Sequence, residues 1–266
     1  MSAETLTRLD WSAPDGSTPP PARPGLARLT VVEMRKMVDT RAGFWLLVSI
    51  GLISLLAVIA QLIWGDADAR NLTDYFSLSL YPVGILLPVL GILTVTSEWS
   101  QRTALATFTL VPERHRIVIA KLAAATVFGA LSLLASLLFS AFGTALGILL
   151  RDSAGSWSMP ASNLFQALLF QVLGVVMGVA FGMLLMNTPL AIVLYFMLPT
   201  VWQILTSVIT AIRDAAEWLD LNGAMEPLSL GTLHGEGWGK LATSTLVWIV
   251  VPLVLGTIRL IRREVK

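Results

Sequence analysis

The stretch SEWSQRTALATFTLVPERHRIVIAK, Ser97 to Lys121, lies between two long apolar runs. It carries six formal charges, Glu98, Arg102, Glu113, Arg114, Arg116 and Lys121, with Pro112 among them. On the insertion scale a charge at mid-bilayer costs about 2.5–3.5 kcal/mol, so six together cost roughly 15–20 kcal/mol. The stretch therefore belongs outside the hydrocarbon, as a cytosolic excursion of about two dozen residues where an ordinary helix connection needs about 2–8. Its length and mixed charge suit either a docking surface or a solvated basic loop.

The rest of the chain explains why a membrane is the reference. Of 266 residues, 55% are hydrophobic and only 13% charged, with a mean hydropathy of +0.76. A soluble domain is nearer a quarter charged, so the composition is that of a polytopic membrane protein. The absence of cysteine excludes a disulfide framework, a thiolate metal site and a cysteine nucleophile. Residues 1–27 are polar and proline-rich with no apolar core, which predicts a disordered cytosolic tail and no cleavable signal.

Residues 28–266 read as a single membrane domain. In 28–41, Val31, Met34 and Val38 recur at helical spacing with Met37 beside them, while Arg35, Lys36 and Asp39 lie elsewhere on the wheel. That pattern suits an amphipathic helix lying at a membrane surface. Six apolar segments follow: 43–64, 75–97, 122–150, 162–186, 189–210 and 241–258. At 1.5 Å per residue the shortest reaches about 27 Å, close to the ~30 Å of hydrocarbon. One kinked helix cannot cover 162–210, so Asn187-Thr188-Pro189 is expected to be a tight turn between two spans.

Six spans place both termini on one side. Fourteen of the eighteen Lys and Arg residues then share that side, leaving Arg70, Arg151, Arg213 and Lys240 for the other. The positive-inside rule makes the rich side cytoplasmic. Trp45 and Trp99 fall at the inner interface and Trp64, Trp157 and Trp238 at the outer one, as aromatic belts do.

None of the six segments contains Asp, Glu, Lys, Arg or His. Ion-coupled transporters and intramembrane hydrolases place ionisable groups at depth. His115 and His234 fall on opposite faces and form no metal site together, and no G-x-x-x-x-G-K-[ST] loop is present. A transporter of this build has to borrow energy from another protein through a cytosolic contact. A secondary carrier and a non-transporting scaffold or sensor are the alternative readings.

Two segments carry a more specific resemblance. Glu98, Thr103, Leu110, Pro112, Arg116 and Lys121 occur in the order and spacing seen after the second span in permeases of the ABC-2 type (exporter) ATP-binding cassette family, with Arg102 where the family often has Gly. The run EMRKMVDTRAGFWLL resembles the interfacial helix of actinobacterial-type members, with Glu33, Lys36 and Arg41 at matching positions. The resemblance implies an all-α membrane fold with six transmembrane helices. It further implies an N-terminal interfacial helix, a coupling helix between spans two and three, and half-inserted outer helices between spans five and six. It assigns Glu98, Arg102, Thr103, Pro112, Arg114, Arg116 and Lys121 to coupling with a separate cytosolic ATPase. That partner would hold ATP and Mg, and this chain would hold no cofactor, bind no nucleic acid and not itself be an enzyme. Implied as well are pairing with a second copy or a paralogue, a bacterial plasma membrane with its lipids, and outward export of a drug, lipid or other amphiphile.

Other features concern packing. Gly174, Gly178 and Gly182 form G-x-x-x-G-x-x-x-G in the fourth span, and such spacing lets helix backbones approach closely, within or between subunits. Gly143 and Gly147 echo it in the third span, and Pro82, Pro88, Pro199 and Pro252 interrupt spans. Gln61, Gln166, Gln171, Gln203, Thr206 and Ser207 are polar at or near span depth. They serve either interhelical hydrogen bonds or, for Gln166, Gln171, Gln203 and Thr206, the lining of a pathway. Residues 211–240, with Arg213 and the five carboxylates Asp214, Glu217, Asp220, Glu226 and Glu236 around Trp218, Leu221 and Leu228, are too apolar for a free loop and too charged to span. That segment is expected either to cap an outward exit or to lie at the interface.

Overall fold

Apolar runs with few helix breakers and no internal ionisable groups give helices that satisfy their own backbone, as a membrane requires. The computed structural model describes residues 24–101, 113–151, 155–209 and 213–262, and among these the regular structure is entirely helical. Most of the tail, together with Arg102, Thr103, Leu110 and Pro112, lies outside the described residues.

Helix α1 covers Leu26–Asp39. Six helices among the described residues are long and apolar enough to cross a membrane. They are α2 (Arg41–Trp64), α3 (Leu72–Ser100), α4 (Arg114–Arg151), α5 (Ala161–Leu185), α6 (Thr188–Val208) and, after the short α7 (Leu221–Leu230), α8 (Gly237–Arg262). The chain is thus a multi-pass membrane protein by helix length and composition.

Local chemistry sets the helix ends. The Thr40 side chain accepts from the Gly43 N–H to open α2, and Asn71 accepts from Asp74 to open α3. The expected turn at 187–189 is two residues long. Met186 ends α5 in the left-handed region (φ 51°), and the Asn187 side chain then caps α6 on the Leu190 N–H, with Pro189 in the first turn.

Both ends of the charged stretch are helical. Helix α3 runs on to Ser100 and α4 already begins at Arg114. Glu98, Arg114, Arg116 and Lys121 thus lie on helix, and α4, with 38 residues, is about 57 Å long.

Contacts between termini fix an alternating up-and-down order. At one end, called the α1 end, Arg114 donates to the Leu260 and Ile261 carbonyls at 3.0 Å, and Arg259 donates to the Leu184 carbonyl at 2.6 Å. Each arginine thus satisfies orphan carbonyls at a helix C-terminus. At the far end, the Leu72 N–H donates to the Ser156 carbonyl and the Thr73 hydroxyl to that of Ser158. Helix α1 and the close of α8 therefore share one end.

Helices α3 and α5 form the centre. A Cβ on Gly178 of α5 would collide with the Pro88 carbonyl of α3, and one on Gly91 would sit 2.6 Å from the Val175 carbonyl. Gly178 and Gly182 of the stripe thus serve backbone contact inside one subunit. Helices α2 and α6 stay peripheral and leave Leu56, Val193, Met197 and Ile204 exposed.

After α6 the chain turns back into the bundle. Leu221, at the start of α7, packs with Met177 and Phe181 of α5 and Ile249 of α8. Met177 lies about 24 Å along α5 from its far-end start. The short helical turns Arg213–Ala216 and Glu217–Leu219 leave end carbonyls that need donors. The Trp202 indole donates to Ala216 O at 3.3 Å, Trp248 to Leu219 O at 2.7 Å, and the Thr243 hydroxyl to Trp218 O at 2.6 Å. Opposite this tip α8 widens into one π turn, Leu246–Val250, which carries Trp248 and Ile249 to the contact. From the tip α7 climbs back to Gly231, whose φ of 71° favours glycine.

Candidate functional site

Two constellations of charge and polarity stand out. The first lies at the α1 end. Lys121 of α4 is 1% exposed, and its ammonium donates to Glu33 Oε2 at 2.6 Å and to the Thr94 carbonyl at 2.8 Å, with Glu98 Oε1 at 3.1 Å. Those three acceptors use all three of its protons. Lys36 reaches Glu33 Oε1 and Glu98 Oε1, both at 2.7 Å. Each carboxylate therefore sees both ammonium groups, and the four charges cancel. Burial pulls the Lys36 ammonium down, but Glu33 and Glu98 outweigh it and hold it above the usual lysine range.

A buried ion cluster is tolerable only when its desolvation is offset by such complete pairing. The result ties α1 to the end of α3 and the start of α4, with Met37 buried beside it. The resemblance divides these residues between an interfacial set (Glu33 and Lys36, with Arg41) and a coupling set that includes Glu98 and Lys121. The structure makes them one unit and turns Glu98 and Lys121 toward α1. Arg41 is exposed and only opens α2. Arg114 caps α8 as described, and Arg116 donates to the Pro24 carbonyl at 2.7 Å and sits 3.6 Å from Glu113.

The second constellation is a cavity of about 360 Å³ between α3, α5, α6 and α7. Ligand pockets commonly measure ~300–1,000 Å³. Its walls carry Tyr81, Phe170, Tyr195 and Phe196, with Met177 and Met225 between the rings. Tyr195 and Phe196 meet edge to face with centroids 4.8 Å apart. Gly84 gives the Phe170 ring its place, since a Cβ there would lie 2.6 Å from it. Gly174 differs from Gly178: a Cβ would meet only Pro88 Cγ at 3.5 Å and the Tyr195 hydroxyl at 3.8 Å. No close helix contact demands this glycine, and its missing side chain leaves the cavity deeper.

Helix α7 supplies the polar wall through Asn222, Glu226 and Ser229, with Leu221 and Met225 on the same face. Met225 shares an apolar cluster with Leu169 and Phe170, about 14 Å along α5 from the far end. Glu226 therefore lies alongside a helix long and apolar enough to span, where no sequence segment of spanning length places a carboxylate. It is exposed, and no ion pair reaches it among the described residues. The signal that could have revealed it is the repeat of Leu221, Asn222, Met225, Glu226 and Ser229 on one helical face.

Gln166 holds the loop after α7, accepting from the Leu233 N–H at 2.9 Å and donating to its carbonyl at 3.3 Å. Gln171 is buried and its Nε2 has no hydrogen-bond partner. Thr206 donates to the Gln203 carbonyl, and the Gln203 side chain is exposed. None of these four lines the cavity. Among the described residues no three His, Asp or Glu side chains converge to hold a metal ion. Comparison with models of known protein families finds no match for this chain, and comparison with characterised proteins finds none either.

Proposed function

We propose that the chain is the membrane-spanning permease of an ATP-binding cassette exporter of the ABC-2 type, driven by a separate cytosolic ATPase. The observation that carries the reading is the Glu33–Lys36–Glu98–Lys121 cluster. It binds the end of α3 and the first turns of α4, which flank residues 102–112 in sequence, to α1. A push on the excursion then reaches α3 and α4 as a rigid unit, which is what coupling to an external ATPase needs. The α1 end also holds most of the Lys and Arg, which supports a cytoplasmic orientation. The exposed Val31, Val32 and Val38 of α1 fit an interfacial helix, and the return of 213–230 into the bundle fits a half-inserted outer element.

Glu226 at depth favours a second reading, an ion-coupled carrier, because such carriers need an acidic group within the bilayer. The two readings separate in proteoliposomes. A carrier responds to a proton or sodium gradient with no ATPase present, whereas the permease moves cargo only with its ATPase and ATP. Arg102→Glu is expected to lower ATPase co-purification about thirty-fold, the cost of a broken interfacial charge pair, and Arg262→Glu far less. Equal effects at both positions would leave the excursion an ordinary basic loop. The cysteine-free chain also allows topology to be read directly: external reagents should label Asp66→Cys and Gly235→Cys and spare Glu113→Cys.

A further inference from the structure

The cavity beside α7 combines features with different chemical preferences, and one class of ligand satisfies them together. An unpaired carboxylate at membrane depth is costly, and it is relieved by protonation or by a cation. Glu226 has no protein cation near it among the described residues, and no Lys, Arg or His lines the cavity. The faces of Tyr81, Phe170, Tyr195 and Phe196 attract positive charge through their ring quadrupoles. Met177 and Met225 add soft, adaptable surface that fits irregular apolar bodies. Asn222 and Ser229 offer hydrogen-bonding groups beside Glu226, and the hydroxyl-bearing Tyr81, Tyr195 and Thr200 line the other walls.

We propose that this cavity binds an amphiphilic organic cation, with its positive centre beside Glu226 and its apolar body among the aromatic rings and methionines. An anion of the same shape meets the Glu226 carboxylate with no compensating base. A neutral acyl chain fills the space but makes no use of Glu226. Gly174 sets the depth available to the ligand, because a side chain there projects toward Tyr195 without colliding with backbone. The binding stands independently of what drives transport; its role as a cargo site rests on the permease reading above.

The test uses the full chain purified into lipid nanodiscs, with empty nanodiscs correcting for partition. Radiolabelled tetraphenylphosphonium is the probe, and tetraphenylborate, its near-isosteric anion, is the competitor. Saturable phosphonium binding is expected, with tetraphenylborate displacing it poorly. Glu226→Gln should weaken binding about tenfold and Gly174→Val at least as much. Glu236→Gln, at the far end but outside the cavity, should bind as the parent does. Equal competition by the borate, or unchanged binding in Glu226→Gln, would reduce the cavity to an apolar groove for lipid tails and overturn the proposal. If a variant fails to yield a monodisperse protein, the phosphonium–borate comparison on the parent chain decides alone. Binding without ATPase co-purification keeps this site and removes the permease reading. Co-purification without binding does the reverse.

Discussion

The α1 end and the α7 cavity both bring charge into a protein built to avoid it, and they close their hydrogen bonds in opposite ways. At the α1 end, two lysines and two glutamates share one another completely, and Lys121 has no proton to spare. In the cavity, Glu226 faces rings and thioethers with no base beside it. A saturated cluster has nothing left to offer a ligand, so its work is mechanical. An unsaturated carboxylate at depth has an open valence that only a ligand, a proton or a partner fills. Charge alone does not mark a binding site in a membrane protein; incomplete pairing does.

The largest expected effect comes from breaking the saturated side. Lys121→Ala leaves Glu33 and Glu98 facing each other with Lys36 as the remaining lysine of the cluster. Truncating one member of a buried ion cluster costs about 3–5 kcal/mol. Thermal unfolding of the purified chain should show that loss, and the double change Lys121→Met with Glu98→Gln should restore most of it by leaving a neutral Glu33–Lys36 pair. A single variant as stable as the parent would mean that the cluster holds nothing together.

The two glycines of one stripe sharpen the same contrast in apolar form. Gly178→Val drives a side chain into the Pro88 carbonyl, and overpacking of this kind costs about 1–3 kcal/mol. Gly174→Ala, with neighbours no nearer than 3.5 Å, should leave unfolding unchanged. Similar losses at both positions would show that Gly174 also serves helix packing.

The spans, their number and the turn at Asn187 were legible because a long apolar run has one solution in lipid, and Pro189 after Asn187 ends one helix while opening another. The charged stretch was legible in place, though not in how much of it is helix. Hydropathy marks where an apolar run stops, whereas α3 and α4 continue as helices through their charged ends, joined there by the Glu98–Lys121 pair. Glu33, Lys36, Glu98 and Lys121 were each picked out, yet their union was invisible. Positions 33 and 121 meet only because two spans and an elbow bring them together, and no local period encodes that. Glu226 was missed for a related reason. Its segment is too short and too charged to register as membrane-embedded, and its depth comes from the indoles of Trp202 and Trp248, far away in sequence.

Those indoles define the next test. Trp248→Phe keeps the ring's bulk and deletes the N–H that serves the Leu219 carbonyl. A buried carbonyl left without its donor costs about 1–3 kcal/mol. The loss is local, so the re-entrant tip should open more often while the bundle stays folded. Leu221 is buried at that tip, and a single Leu221→Cys reports on it against a cysteine-free background. Its labelling by a small thiol reagent should rise about fivefold or more in the Trp248→Phe chain. Unchanged labelling would mean that the tip is held by apolar contact with Met177 and Phe181 alone.

The smallest effect is expected where the charge is least paired. Glu226→Gln removes a carboxylate that makes no ion pair among the described residues, and it keeps the shape of the side chain. Substitutions that break no contact generally shift stability by no more than about 0.5 kcal/mol. Here the sign should be neutral or favourable, because a neutral amide is cheaper at membrane depth than an unpaired anion. Glu98→Gln is the matched control. It is the same chemical change made inside the saturated cluster, where it strips the countercharge from Lys36 and Lys121 and should cost several-fold more. Unfolding curves of the two variants, measured side by side in one detergent, give the comparison its sharpest form. A large loss in Glu226→Gln would reveal that this carboxylate is already paired within the protein, and the cavity would then have no charge to offer a ligand. A stable Glu226→Gln beside a weakened Glu98→Gln separates the charge that builds the protein from the charge that is left for something else to bind.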